Sequence, residues 1–492
     1  MLSFRASAVP LCFMAFLVAP AGHAEDMRLN VRGKDFVSKG LVAVGRLPAD
    51  LRDKFGETFG SGSGMAVDPR SWRVDGNQYS GTIFLLPDRG YNVEGTTDYR
   101  ARLNALKLVI RPTALGEAPP ADRQQAGVTA QLVDTILLQE TDGRSLTGLD
   151  PVGVRAKTDR FPDLPQAETG AISLDSEAVA RLEDGGFFIS DEYGPAIYRF
   201  SADGKLLSTI RPPEAFTPIR QGQQNFSSNN PGPNATRPTP LNPEHGRQNN
   251  QGFEGMALTP DNRFLVVVLQ SATRQDGGDA PATRRHTRAL VYDIADVAQP
   301  TLVREHVVPL PVFQDAAGKT LVAAQSELLA LGDDLFLLLS RDSNNGQGVA
   351  GTTSLYRSID VLDLNDATNI AGTKFDLEIA VAPKGVLDPT VTPAKLTPFL
   401  DLNDNAQLNR FGLHNGAPND RNNLSEKWEA MGLVNVMDPA FPDDYLLLVV
   451  NDNDFLTQRG FQVGADYTAG TDVDTLFLAY RVTLPRGTPA AR

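Results

Sequence analysis

Short apolar runs, fenced by Gly, Asp, Asn and Pro, recur from one end of the chain to the other. They come in pairs. An acidic residue opens one apolar segment, and a second apolar segment ends in polar or acidic residues. The pair reads Asp175-Ser176-Glu177-Ala178-Val179-Ala180, then Gly186-Phe187-Phe188-Ile189-Ser190-Asp191-Glu192. It returns as Gly252-Phe253-Glu254-Gly255-Met256-Ala257, then Phe264 to Gln270. It returns again as Gln325-Ser326-Glu327-Leu328-Leu329-Ala330, then Leu335 to Asp342, and as Lys427-Trp428-Glu429-Ala430-Met431-Gly432, then Leu446 to Asp452. A degenerate first copy is Ser63-Gly64-Met65-Ala66, then Ile83-Phe84-Leu85-Leu86-Pro87-Asp88-Arg89. Runs this short, so bounded, predict strands rather than helices. The segments Ala101–Val109 and Ala324–Leu331 imitate helical spacing, but the repeat places them as strands.

Each pair is followed by further strand signals. These are Leu103–Arg111 and Val128–Gln139 in the first unit, and Ala196–Phe200 and Lys205–Ile210 in the second. They are Arg288–Asp293 and Leu302–Leu310 in the third, Leu355–Leu364 in the fourth and Thr475–Val482 in the fifth. Four antiparallel strands repeated radially make a β-propeller, so the expected fold class is all-β, with about five or six blades. A sixth blade has room in residues 140–175 or 370–425. The run Gly40–Gly45 near the N-terminus is placed to supply the outer strand of the last blade and close the ring. Residues 219–252 are crowded with Asn, Gln, Pro and Gly and carry no strand signal, as expected of a disordered loop or a lid. Asp401–Asn423 is similar.

Bulk properties narrow the partners. The chain has 492 residues and a formal net charge of −14, which disfavours nucleic acid and anionic membranes. Arg5, the apolar stretch Ala6–Ala19 and Gly22-His23-Ala24 read as a secretory signal over residues 1–24, leaving 25–492 as a single domain. The only cysteine, Cys12, lies in that signal, so the mature chain folds without disulfides. No later segment is apolar enough to span a membrane. The expectation is an exported monomer, periplasmic or extracellular. The sequons at Asn225, Asn234 and Asn423 carry little meaning if export is bacterial.

The first strand of each propeller blade lines the central channel. That geometry converges Glu177, Glu254, Glu327 and Glu429 on one mouth, with Asp88, Asp191, Glu192, Asp342, Asp452 and Asp454 at the second-strand ends nearby. Crowded carboxylates demand protons, Arg or Lys, or a hard cation. Ca²⁺, with its six to eight oxygen ligands, suits such a ring. The expected metal ligands are therefore Glu177, Glu254, Glu327, Glu429, Asp88, Asp191, Asp342 and Asp452. The competing reading makes the repeated Glu structural. Arg89 and Arg341 adjoin the acids and have the planar fork that grips phosphate; internal salt bridges are the equal alternative. Lys427 is a weaker candidate. Arg89, Arg341, Glu177 and Glu254 are the catalytic candidates. The mature histidines His245, His286, His306 and His414 lack zinc spacing and are expected in loops and at the surface. Gly60–Gly64 lacks the lysine and helix of a phosphate loop, and Asp401–Asn405 lacks the Gly and Glu of an EF-hand.

Asp175-Ser176-Glu177-Ala178 with Ile189 to Pro195, Asn250 to Ala257, and Leu86-Pro87-Asp88-Arg89-Gly90-Tyr91-Asn92 together resemble the phytase-like proteins described by "esterase-like activity of phytase". The resemblance runs from about Gly40 to Val482. It implies a propeller with repeated Glu and Asp and a phosphoesterase role. The resulting expectation is a calcium-dependent phosphoric-ester hydrolase for a small anionic substrate. A calcium-dependent lactonase or carboxyl-ester hydrolase, and a binding propeller without turnover, are the alternatives.

Overall fold

The computed structural model describes residues 27–91, 97–230 and 236–485. The segment expected to be a secretory signal, Asn92 and Asn234 lie outside the described residues. Antiparallel four-stranded meanders dominate, and the only α-helix among the described residues is Asn405–Leu408. The first meander is Gly64–Asp75, Gln78–Leu86, Arg102–Ile110 and Val128–Leu137. The next is Ser176–Arg181, Phe187–Asp191, Ile197–Phe200 and Leu206–Ile210. Then come Phe253–Leu258, Phe264–Leu269, His286–Asp293 and Thr301–Pro309. After these come Ala324–Gly332, Leu335–Arg341, Arg357–Asp363 and Lys395–Asp401. The last sheet runs Trp428–Asn435, Asp444–Asn451, Thr475–Thr483 and, at its outer edge, the N-terminal strand Lys34–Leu47.

That N-terminal strand pairs with Thr475–Thr483 from Val37↔Thr483 to Leu47↔Thr475. The N-terminal and C-terminal segments are thereby joined in one sheet, and the edge of Thr475–Thr483 is covered; Met27–Val31 pairs in turn with Lys34–Ser38 on the far side. A single parallel bridge, Gly45↔Val128, links the last sheet to the first. The first strands of the meanders touch one another in cyclic order.

Both faces of each sheet are buried, and the core shows why. The apolar residues form successive layers between neighbouring sheets. Phe84, Leu103, Ile189 and Tyr198 join the first and second. Phe188, Phe253, Leu265 and Leu290 join the second and third. Val266, Val291, Leu338 and Leu362 join the third and fourth. Leu337, Val361, Leu447 and Leu478 join the fourth and the last, and Ile83, Leu106, Leu448 and Phe477 return to the first. This explains the continuous apolar runs in the second strands: they face core on both sides.

Residues 140–175 contain only the short pair Gly153–Arg155 and Leu164–Gln166. Within 370–425 the strand Lys395–Asp401 is the outer strand of the fourth meander, displaced by an insertion after Asp363. Neither segment forms a further four-stranded unit among the described residues. His306 is not a surface residue: it is buried in Thr301–Pro309, with Nδ1 3.1 Å from Thr368 O.

A buried ionic cluster fixes the 370–394 insertion. Arg288 pairs with Asp276 at 2.7 Å and with Glu305 at 3.0 Å. Asp276 also accepts the backbone N–H of Val381 and Ala382. Burial pushes the Glu305 carboxyl up to about 8, against the pull of Arg288. The unfolded value is about 4.5. Between those values the folded chain holds a proton that the unfolded chain lacks. This contribution is therefore complete below the unfolded value and fades as pH rises through the folded one, by roughly 1 kcal/mol per pH unit. Glu305→Gln is expected to flatten that part of the profile. Urea midpoints from pH 5 to 8 check it, and parallel wild-type and variant curves would refute it.

Candidate metal centre

The inner strands are bent where the repeated Glu stand. Pairing slips between Ser176↔Asp191 and Val179↔Ile189, between Phe253↔Leu269 and Met256↔Val267, and between Trp428↔Asn451 and Ala430↔Val450. A bulge leaves a residue outside the ladder and re-aims its side chain. Glu177, Glu254 and Glu429 lie within these slips. Close passage of neighbouring inner strands helps to crowd them. A Cβ on Gly64 would lie 2.4 Å from Glu177 O, and one on Gly255 would lie 2.7 Å from Leu328 N. Only glycine permits those approaches.

Two groups of carboxylates result. In the first, oxygens of Asp175, Glu177 and Glu192 all lie within 4.8 Å of one another. All three residues are buried. Arg89 Nη1 donates to Asp175 Oδ2 at 2.8 Å. Asp175 Oδ1 and Glu192 Oε1 accept no hydrogen bond from the protein. Glu254 adjoins the group; its Oε1 accepts from Gln270 Nε2 at 2.9 Å, and its Oε2 has no donor.

The second group is Asp88, Asp452 and Asp454. Here a cation is already in place. Lys427 Nζ lies 2.6 Å from Asp452, 3.0 Å from Asp454, 3.4 Å from Glu429 and 3.6 Å from Asp88. Glu429 also receives a hydrogen bond from Arg341 Nη2.

Burial raises the carboxyls of both groups, and in the second the ammonium opposes it. Burial, then Glu254 and Glu192, lifts the Glu177 carboxyl well above the usual range. Burial, then Glu192 and Glu429, does the same for Glu254. Burial and Asp175 push Glu192 to about 8. Around Lys427, burial pushes Asp452 to about 7 against the pull of the ammonium, and burial with Asp452 lifts Asp88 well above the usual range in spite of it. The first group therefore favours protons, with Glu192 among their holders, unless a cation replaces them. Its donors are all carboxylate oxygens, which fit a hard divalent ion and not a soft one.

The remaining expected ligands lie elsewhere. In the fourth inner strand the slip falls one residue earlier, between Gln325↔Ser340 and Glu327↔Leu339. Glu327 there accepts backbone N–H groups of Leu328, Met256 and Met431, from three inner strands. Its carboxylate ties strands together at the axis. Asp191 is committed to the backbone N–H of Asp175, Tyr193 and Gly194. Asp342 takes Ser354 Oγ, Leu355 N and Asn345 Nδ2. Both are spent on turns. Arg89 and Arg341 form ion pairs with Asp175 and Glu429 of adjacent units, not with their sequence neighbours. Further along the inner strands the axis turns apolar, as a cavity of about 350 Å³ lined by Met65, Val179, Met256, Leu328 and Met431.

Asp175 and Gln270 thus belong to the site without having been assigned to it from sequence, while Glu192 was placed near the mouth and Lys427 counted a weaker candidate, neither as a ligand. Asp175 and Glu192 stand inside the repeated motif and were readable there. Arg247 was not, because it comes from the 219–252 segment. It is fully buried and donates to Tyr193 O at 3.0 and 2.9 Å, beside Glu192. Arg220 ties the same segment to the carbonyls of Asn225, Ser227, Pro240 and Leu241. Asp150 accepts from Ser227 Oγ and from the N–H of Ser228 and Asn230. The described part of this insertion is an ordered wall of the site.

Antiparallel four-stranded sheets around an axis, closed by the N-terminal strand and carrying acids at one mouth, define a β-propeller. The chain belongs to the phytase-like family, described as "Esterase-like activity of phytase", whose sequence model matches residues 57–455. An "Uncharacterized secreted protein" of Arthroderma benhamiae is 39% identical over 455 residues, spanning 86% of this chain and 88% of the relative. Among solved structures, a gluconolactonase from Xanthomonas campestris superposes with a TM-score of 0.29 at 10% identity, over 95% of this chain and 99% of its own. The calcium-binding protein regucalcin from Agrobacterium tumefaciens gives 0.24 at 11% identity, over 91% and 97%.

Proposed function

We propose that this protein is an exported, five-bladed, calcium-dependent hydrolase of small anionic phosphoric esters. The observation that carries the reading is the first carboxylate group. Asp175, Glu177 and Glu192 are buried within reach of one ion, with oxygens that no protein donor satisfies, beside the fixed charges of Arg89, Arg341 and Lys427. Calcium bound there would polarise a phosphoryl oxygen. Arg89 and Arg341 would orient the phosphate through N–H groups not committed to Asp175 and Glu429. Glu254, held by Gln270 and otherwise undonated, would exchange the proton with water or leaving group. The family description supports ester chemistry, and the secreted relative supports export.

The test is hydrolysis of phosphomonoesters, phosphodiesters, phytate and lactones, each with calcium and with chelator. Calcium-dependent phosphate release is the expected outcome. Turnover of lactones alone would select the carboxyl-ester alternative, and no turnover at all would leave a binding propeller. Independently of activity, calcium at about 100 times its Kd should stabilise the fold by about 2.7 kcal/mol, read as a rise in Tm.

A further inference from the structure

The two carboxylate groups of the mouth are alike in composition and differ in what neutralises them. Asp88 Oδ1 accepts the N–H of Gly90, and Asp452 Oδ1 accepts the N–H of Asp454. Each turn therefore fixes its carboxylate and aims the other oxygen, Oδ2, at Lys427 Nζ. Asp454 Oδ1 completes the cage. The lysine is not a peripheral partner: its side chain is only 18% exposed, and Asp452 is wholly buried. Burial works against the ammonium, and Asp452, Asp454, Glu429 and Asp88 together overcome it.

We propose that Lys427 is the resident counter-cation of a second, calcium-sized carboxylate cage, so that its ammonium limits this mouth to a single divalent ion. Ca²⁺ needs several oxygens at about 2.3–2.6 Å. Oxygens of Asp452, Asp454 and Asp88 surround one point at 2.6, 3.0 and 3.6 Å, and the buried Glu429 Oε2, which accepts no hydrogen bond, lies 3.4 Å from it, so all but Asp452 would move in to meet an ion. The ammonium fills that point and supplies one positive charge in place of two. The inference extends the proposed calcium site to a neighbouring cage, and its test is separable from that reading.

The experiment counts calcium bound per chain, by equilibrium dialysis and metal analysis, in the wild type and in Lys427→Met. The variant is expected to bind one ion more than the wild type. Adding Asp452→Asn to Lys427→Met should bring the count back to the wild-type value. A wild type with no calcium and a variant with one would sink the proposed metal centre and uphold the role of Lys427. Equal counts in the two proteins would overturn the role of Lys427 and leave the metal centre standing. If Lys427→Met fails to fold in chelator, calcium should restore it. Failure to fold with calcium present would also overturn the proposal, since the ion could not then replace the ammonium.

Discussion

Arg341→Met is expected to destabilise the protein by about 3–5 kcal/mol, the largest loss for any single change at the mouth. Arg341 is buried on the second strand Leu335–Arg341 and pairs with Glu429 of the adjacent inner strand. Methionine keeps most of the stem volume and removes the charge. Glu429 is then left in the interior facing Glu254 and Glu177, and its remaining cation, Lys427, is shared with three aspartates. The energy lost is the penalty of an uncompensated buried carboxylate, not the strength of the bond itself. It follows that Arg341→Met with Glu429→Gln should recover much of the loss. Urea unfolding of the two single variants and the double supplies the coupling energy. A loss below about 1 kcal/mol for Arg341→Met would refute this account of the buried pair. The pair would then add little to the fold.

The same residues show how far the sequence could be read. The strand pairs were legible because each second strand holds a continuous apolar run, and a strand packed on both faces leaves that mark. Closure by the N-terminal strand was legible from Gly40–Gly45 because a ring of meanders leaves one strand to find. The outer strand Lys395–Asp401 was not, since an insertion of about thirty residues separates it from Asp363 and its residues are only half-buried. At the mouth, the recurrence of Glu pointed to the right place but treated four positions as equal. They are unequal because register is a property of pairing. A slip one residue earlier turns Glu327 onto the backbone N–H groups of Met256 and Met431, while Glu177 and Glu254 face each other. No pattern in the chain marks which residue of an inner strand bulges. Nor does composition separate Asp88 and Asp452, which face Lys427, from Asp191 and Asp342, which hold turns. That distinction depends on donors contributed by loops, such as the N–H of Gly194 and Leu355.

Glu254→Gln is expected to lower kcat about 100- to 10,000-fold while leaving the calcium count and Tm near those of the wild type. Glutamine preserves the shape, and its carbonyl oxygen can still accept from Gln270 Nε2. It also removes a buried acidic group whose second oxygen has no donor, so the fold loses nothing it relied on. What disappears is the exchangeable proton. Burial, with Glu192 and Glu429, favours that proton on Glu254. An anionic ester placed against Arg341 would meet a carboxyl group able to give the proton up and take it back. Glu177→Gln should behave differently. Its carboxylate shares the space of Asp175 and Glu192, so its loss should remove bound calcium and activity together. Measuring turnover, calcium per chain and Tm for both variants separates a proton-transfer group from an ion ligand. Unchanged turnover in Glu254→Gln would remove that residue from the chemistry. Unchanged calcium in Glu177→Gln would move the ion away from the first carboxylate group.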